Sequence, residues 1–440
     1  MIALRPKLLC ALGALTALLG AAPVAPVTPA ARYPVALSRT AGGAPFVQEI
    51  DADAPLAGVQ IFVAAGSSRE PAGQSGVAAL VAECVLRTPV SGIALKDALA
   101  ASGGSITYAV DGFSTHYYIE SRPAALAGLV TTFGRALSAP DFSAATLAAA
   151  RTTLEGRIAE SERSALSVGI AMIRRAYYST GSGSALGSAT TLAALGERGA
   201  SAFYRSGYVR SALRVSAAGA SAPALDAALQ KVATALPERA LGPPGERLRP
   251  VSADGRRIVA HRDVGAPWIA VGFTAPPPND PDFGAMLVLQ MLLADAFERS
   301  STTTLGFVER SVGAFYFYDS TPATVIVYVN GTLVDPSTAL QEVLTVSKSL
   351  GSKPLGPGPL AHFKMRAEGQ FLSDSVSLGD RSYLLGTLSE QGLGADPLNA
   401  ALNELRATTP ADIERAAKRY LQRYVVALVL PRQGPPAPRS

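Results

Sequence analysis

One carboxylate interrupts an otherwise apolar helix, and the chemistry of the chain is best sought there first. From Val77 to Leu86 the sequence VAALVAECVL is apolar on every side except at Glu83. A helix apolar all round belongs inside a protein. A carboxylate in that setting needs a partner or takes up a proton. Arg87, one turn on, is the nearest candidate; Arg157 or Arg163 would have to come from elsewhere in the chain. Other groups able to hold a metal or move a proton are sparse. Glu155, Glu160 and Glu162 fall in TTLEGRIAESER. The three histidines, His116, His261 and His362, are far apart, and none is spaced to partner another. An oxygen-only set of Glu83, Glu155 and Glu162 is a poor match to zinc's nitrogen and sulfur ligands, so these carboxylates read as exposed or salt-bridged helix faces. Cys84, on the same buried helix, reads as a small hydrophobe. There is no G-x-S-x-G, and STGSGSALGS, Ser179 to Ser188, lacks the Lys-Ser/Thr ending of a phosphate loop.

The elements that must position Glu83 follow from periodicity. Val59, Ile61 and Val63 alternate with Gln60 and Phe62, which predicts a strand. GSSREPAGQSG is a loop, Ser75 is placed as an N-cap, and a helix runs to about Arg87. The same order returns in PWIAVGFTAPPPNDPDFGAMLVLQMLLADAF. Two alternating strands and a helix follow in each half, then a long helix: Phe142 to about Ala176, and Pro359 to about Gly386. Each half closes with a helix and a strand, the last helix opened by a capping box at Thr409 and Asp412. Two copies of β-α-β-β-α-α-α-β predict an α+β chain of two related domains, each a largely antiparallel sheet with helices packed on one face. The domains are expected at 33–236 and 256–431, with a Pro/Gly-rich linker at 237–255 and a loose tail at 432–440.

The strand, the G-S-x-R-E-P loop and the buried helix resemble the start of the insulinase/pitrilysin family of zinc peptidases, whose inverted motif H-x-x-E-H lies on this helix. The duplication resembles that family as well, which implies a mitochondrial-processing-peptidase-like fold. Aligned on Gly76-Val77-Ala78, the motif's His, Glu and His fall on Ala79, Ala82 and Glu83. All three differ, so the resemblance implies no zinc, no cofactor and no hydrolysis by this chain alone. The family's glutamate pair, seven apart on a later helix, matches Glu155 and Glu162. Family members hold peptide as an added strand on an edge that here resembles Gly104, Ser105, Ile106 and Thr107, although Tyr108 stands where the family has a small residue. An arginine and a tyrosine of the second domain also touch peptide. Aligned on Gly313, the tyrosine is Tyr316, the arginine position holds Glu309, and Arg310 is one residue late. Absent such a role, Phe315, Tyr316, Phe317 and Tyr318 read as strand residues packing on both faces.

Composition bounds the rest. The 440 residues are 48% hydrophobic and 17% charged, which supports large cores. The net charge of +5 is scattered, with no basic run of the kind that tracks nucleic acid. Residues 1–30 read as an export signal: Arg5 and Lys7, an apolar Leu8 to Leu19, then small residues and prolines. That run is too short for a confident membrane span. A periplasmic or secreted protein is expected, with no stable membrane span once the signal is cleaved. After removal of the signal, Cys84 is the one cysteine left, so no internal disulfide forms. The expected role is the non-zinc partner of an active, zinc-containing homologous subunit acting on unfolded peptides. The alternatives are a non-enzymatic peptide-binding scaffold, homodimeric or not, and a peptidase with another metal geometry.

Overall fold

Val59, Ile61 and Val63 are fully buried, as their alternation predicts, in the same core as the apolar helix from Val77. The computed structural model describes residues 34–40, 43–177, 185–242, 255–305, 310–318, 323–331 and 336–432, with backbone alone for 300–305, 310 and 336. The expected export signal, much of the linker and nearly all of the tail lie outside these residues. From Val35 onward the chain packs as one compact unit.

In the first half, β1 (Val35–Arg39), β2 (Pro45–Ile50) and β3 (Ala57–Val63) lead into α1 (Val77–Arg87). A short hairpin, β4 (Pro89–Val90) with β5 (Ile93–Ala94), precedes α2 (Leu95–Ala101). There follow β6 (Gly104–Val110), β7 (Thr115–Ser121), α3 (Pro123–Ser138), α4 (Ala144–Arg163), α5 (Ala165–Tyr177), α6 (Ala189–Ala194), α7 (Glu197–Gly207), β8 (Leu213–Gly219) and α8 (Leu225–Ala235). The second half runs β9 (Arg256–Arg262), β10 (Trp268–Ala275), α9 (Phe283–Leu305), β11 (Arg310–Phe317), β12 (Ala323–Gly331), α10 (Pro336–Leu350), α11 (Pro357–Ser373), α12 (Leu378–Glu390), α13 (Pro397–Ala407), α14 (Pro410–Tyr420) and β13 (Tyr424–Pro431). The first sheet has the order β1-β2-β8-β3-β7-β6, the second β11-β12-β10-β13-β9. Each contains one parallel pair, β2 with β8 and β13 with β9; the other pairs are antiparallel. The expected α+β architecture and its duplication are present. Among the described residues β6 and β11 are edge strands, as are β1 and β9 at the far ends, so each of β6 and β11 offers an open row of backbone donors and acceptors.

The long third helices differ from expectation: each is two helices. Ser164 leaves helical geometry between α4 and α5, and its side chain accepts from the Ser167 N–H; Ser377 does the same for α12 through the Asp380 N–H. Both are serine N-caps inside an apparently continuous helical stretch. The break lets the second piece turn away from its own sheet, and it crosses to the other half. α5 packs on β10 and β13, and α12 packs on β3 and β8.

These crossings are close. A Cβ on Gly169 of α5 would lie 1.8 Å from the Trp268 ring, and one on Gly272 of β10 would lie 2.3 Å from Ile173 of α5. The Tyr177 hydroxyl donates to the Gly272 carbonyl at 2.6 Å. In the reverse direction, a Cβ on Gly386 of α12 would lie 2.4 Å from Phe62. Arg381 of α12 makes a two-pronged pair with the buried Glu49 of β2, one arm at 2.8 Å. Ser216 donates to the Ser382 carbonyl, and Arg214 pairs with Glu390 at 3.0 Å. Gln60 and Phe62, on the side of β3 away from its core, are therefore buried as well.

Gly169→Ala should lower stability by roughly 1–3 kcal/mol, because the indole has nowhere to retreat. Gly156→Ala, in the exposed middle of α4 with open space around it, should be neutral or up to ~1 kcal/mol stabilising. Denaturant unfolding of the two variants tests this, and equal stabilities would show that the crossing tolerates a methyl group.

Candidate functional site

The loop after β3 delivers α1 in a fixed pose. Ser75 is not its cap. Gly76 takes that place with φ +93°, where a Cβ would strike the Leu186 carbonyl at 2.6 Å. Glu70 replaces the missing side-chain cap by accepting from the Gly76 and Ala78 N–H groups, both at 3.1 Å. Burial pushes this carboxyl up to about 8 against the pull of those two bonds.

Ala79 and Ala82 lie fully buried on α1 and carry no group able to bind a metal. Glu83, also buried, pairs with Arg87 at 2.9 Å, and Arg87 donates onward to Thr153 of α4 at 2.6 Å. Tyr108 reaches in from β6. Its hydroxyl accepts from Arg157 of α4 at 2.7 Å and lies near the Glu83 carboxylate. Burial first, then the Glu83 charge, holds the phenol well above its usual range. The same two causes push the Cys84 thiol up to about 12. Glu155 and Glu162 are exposed on α4, and His261 and His362 are exposed on β9 and α11. Among the described residues no three His, Cys, Asp or Glu side chains form a metal-holding group. The residues present do not fit a zinc ion. They supply no nitrogen ligand, and the one carboxylate is taken up by Arg87, with Tyr108 and a second guanidinium from Arg157 close by.

A cavity of about 530 Å³ lies beyond the edge strands. Thr107 of β6 lines it from the first half, Tyr316 and Phe317 of β11 from the second. Ser105 shares the open face of β6 with Thr107, while Gly104 and Ile106 turn inward; a Cβ on Gly104 would meet Leu129 at 2.2 Å. Tyr108 also turns inward, to Glu83 and Arg157, so its ring is directed away from that open face. Tyr316 packs on Phe283 at 5.6 Å, and its hydroxyl donates to the Pro276 carbonyl. Phe315 packs on the opposite face, stacked on Tyr328 at 5.3 Å. The Arg310 side chain and all of Glu309 lie outside the described residues.

Pattern reading missed the cavity's back wall. Gln60 of β3 and His116 of β7 meet there at 2.8 Å, and Tyr383 of α12 lies 4.8 Å from the imidazole. The available signal was polar residues on the side of β3 and β7 that the core does not claim. What it lacked was α12, which arrives from the other half.

Residues 46–189 match the family model described as Insulinase (Peptidase family M16). Over these residues the chain is a homologue of the insulinase peptidases. Its fold is similar to that of a peptidase M16 inactive domain from Pseudomonas fluorescens, at 17% identity with a TM-score of 0.74 over 91% of this chain and 100% of that one. It is similar to a protease from Helicobacter pylori, at 15% identity and a TM-score of 0.77 over 91% and 100% of the two chains. It is also similar to the periplasmic protease PqqL from Escherichia coli, at 14% identity and a TM-score of 0.69, covering 90% of this chain and 45% of that one. No curated protein matches the chain. The matched residues include α1, with Ala79, Ala82 and Glu83.

Two measurements address the charges around α1. Glu83→Gln should cost about 1–3 kcal/mol by leaving Arg87 and Tyr108 short of a buried anion; unchanged unfolding would remove Glu83 from the network. For Glu70 the folded carboxyl titrates near 8, above its ordinary 4.5, so the native state binds the proton more tightly. Its stabilising contribution is complete below pH 4.5 and is lost as pH rises toward 8. The melting temperature of the parent relative to Glu70→Gln should fall across that window, and a constant difference would place the titration elsewhere.

Proposed function

We propose that this insulinase homologue is the non-zinc partner subunit of an extracytoplasmic peptidase. It binds unfolded peptide along β6 beside the central cavity and leaves hydrolysis to an active homologous subunit. The observation that carries this reading is the pairing of two features on one strand. Tyr108 of β6 brings its hydroxyl near Glu83, among the residues that on this reading replace the zinc motif, while no described strand pairs with the outer edge of β6. Strand addition uses backbone groups, so it is compatible with the loss of every catalytic side chain. The name of the Pseudomonas fluorescens domain, an inactive one, supports a family in which such chains exist. Export is supported by the character of residues 1–30 and by the periplasmic setting named for PqqL. Among the described residues no helix is long and apolar enough to cross a membrane.

The test is a pull-down of the tagged chain from its native host, assayed for zinc, for a second family member, and for chelator-sensitive cleavage of an unfolded peptide. All three together are the expected outcome. The chain alone, or paired only with itself, binding peptide without cleavage, would replace the partner reading with a scaffold. Zinc and cleavage in the isolated chain would overturn both.

A further inference from the structure

A second concavity, of about 610 Å³, lies at the opposite edge of the first sheet from β6, where the β1–β2 turn meets the approach to β8 and the chain after α8. Its charged lining is four arginines, Arg39, Arg210, Arg214 and Arg239, against the single carboxylate of Glu238. Four guanidinium groups from residues scattered in sequence thus meet at one hollow.

Several of these groups are held before any ligand arrives. Arg39 Nη1 donates to the Gly43 carbonyl at 2.9 Å, and Arg210 Nε donates to the Ala233 carbonyl at 3.1 Å. The Ser211 hydroxyl donates to the Arg239 carbonyl at 2.9 Å, fixing the backbone from which that side chain springs. Arg214 pairs with Glu390, a residue outside the lining. Arg210 pairs with Glu238 at 2.8 Å, but Glu238 is 82% exposed, so the contact is screened by water and yields to a better-placed anion. Arg39 and Arg239 have no carboxylate partner among the described residues.

We infer that this hollow is a binding site for a phosphate-bearing anion, separate from the peptide edge and the central cavity. Guanidinium forks pair with phosphate oxygens two at a time, and restraint by backbone bonds lowers the ordering cost of that pairing. The number of arginines and the volume suit a group with several charged oxygens better than a lone carboxylate. A soluble phosphate ester and a phospholipid headgroup share this chemistry.

The full chain is titrated with inorganic pyrophosphate by calorimetry at low salt. In parallel it is sedimented with phosphatidylcholine vesicles, with and without phosphatidylglycerol. The parent should bind, more weakly as salt rises, and Arg39→Gln/Arg239→Gln should lose roughly tenfold or more in affinity. Lys353→Gln, an exposed charge in the second half, should bind as the parent does. Arg239→Gln alone spares the β1–β2 turn and should show an intermediate loss, which guards against misfolding of the double variant. Pyrophosphate binding that depends on these arginines supports the site with a soluble ligand. Vesicle binding alone with the same dependence supports it with a headgroup. Binding to neither, or binding indifferent to the arginines, overturns it.

Discussion

The reciprocal crossing of α5 and α12 is the constraint on which the rest of the molecule depends. Each sheet buries its core face under its own helices and would leave the other face open. The halves solve this by lending one helix each. The approach is close enough that glycines must stand at the contacts: Gly169 under Trp268, Gly272 under Ile173, Gly386 under Phe62. Close-packed interiors tolerate little volume change, so these contacts fix the relative pose of the two sheets. The central cavity follows from that pose, since its wall is assembled from β3, β7, β6, β11 and α12.

Burying charge in such a fold demands local balance. Glu83 would be costly on a helix whose other nine buried positions are apolar or small. Arg87 balances it within one turn, and α4 contributes Thr153 and Arg157 at the same level. Tyr108 lies near the carboxylate and accepts from the second guanidinium, so α4 is hydrogen-bonded to α1 through Arg87 and Thr153 and to β6 through Arg157 and Tyr108. A guanidinium thereby balances the buried anion of α1, with a phenol close by.

Much of this was legible in the sequence because it follows from local rules. The alternation in β3, the apolar surround of Glu83, the Glu83–Arg87 spacing and the Thr409–Asp412 capping box each need only a few neighbouring residues, and each is present as read. The failures share a cause. The breaks at Ser164 and Ser377 are serine caps in stretches whose apolar pattern runs on through them, so periodicity alone joins the pieces. Gly76 displaced Ser75 because Glu70, six residues earlier, folds back to cap the helix. The arginine hollow and the Gln60–His116 wall are long-range products, from residues whose sequence neighbourhoods say nothing of each other.

The two edge strands show how the duplication constrains function. β6 and β11 each carry a tyrosine turned toward its own helix layer, Tyr108 and Tyr316, and each hydroxyl already has a partner: Arg157 for one, the Pro276 carbonyl for the other. Freeing either for a ligand would strand a buried polar group, at about 1–3 kcal/mol. On the function proposed above, recognition at the cavity falls to the backbone of the open edge and to side chains that line the cavity, Thr107, His116 and Tyr383 among them. Backbone recognition is indifferent to most side chains, which suits an unfolded peptide of varied sequence better than one defined small molecule.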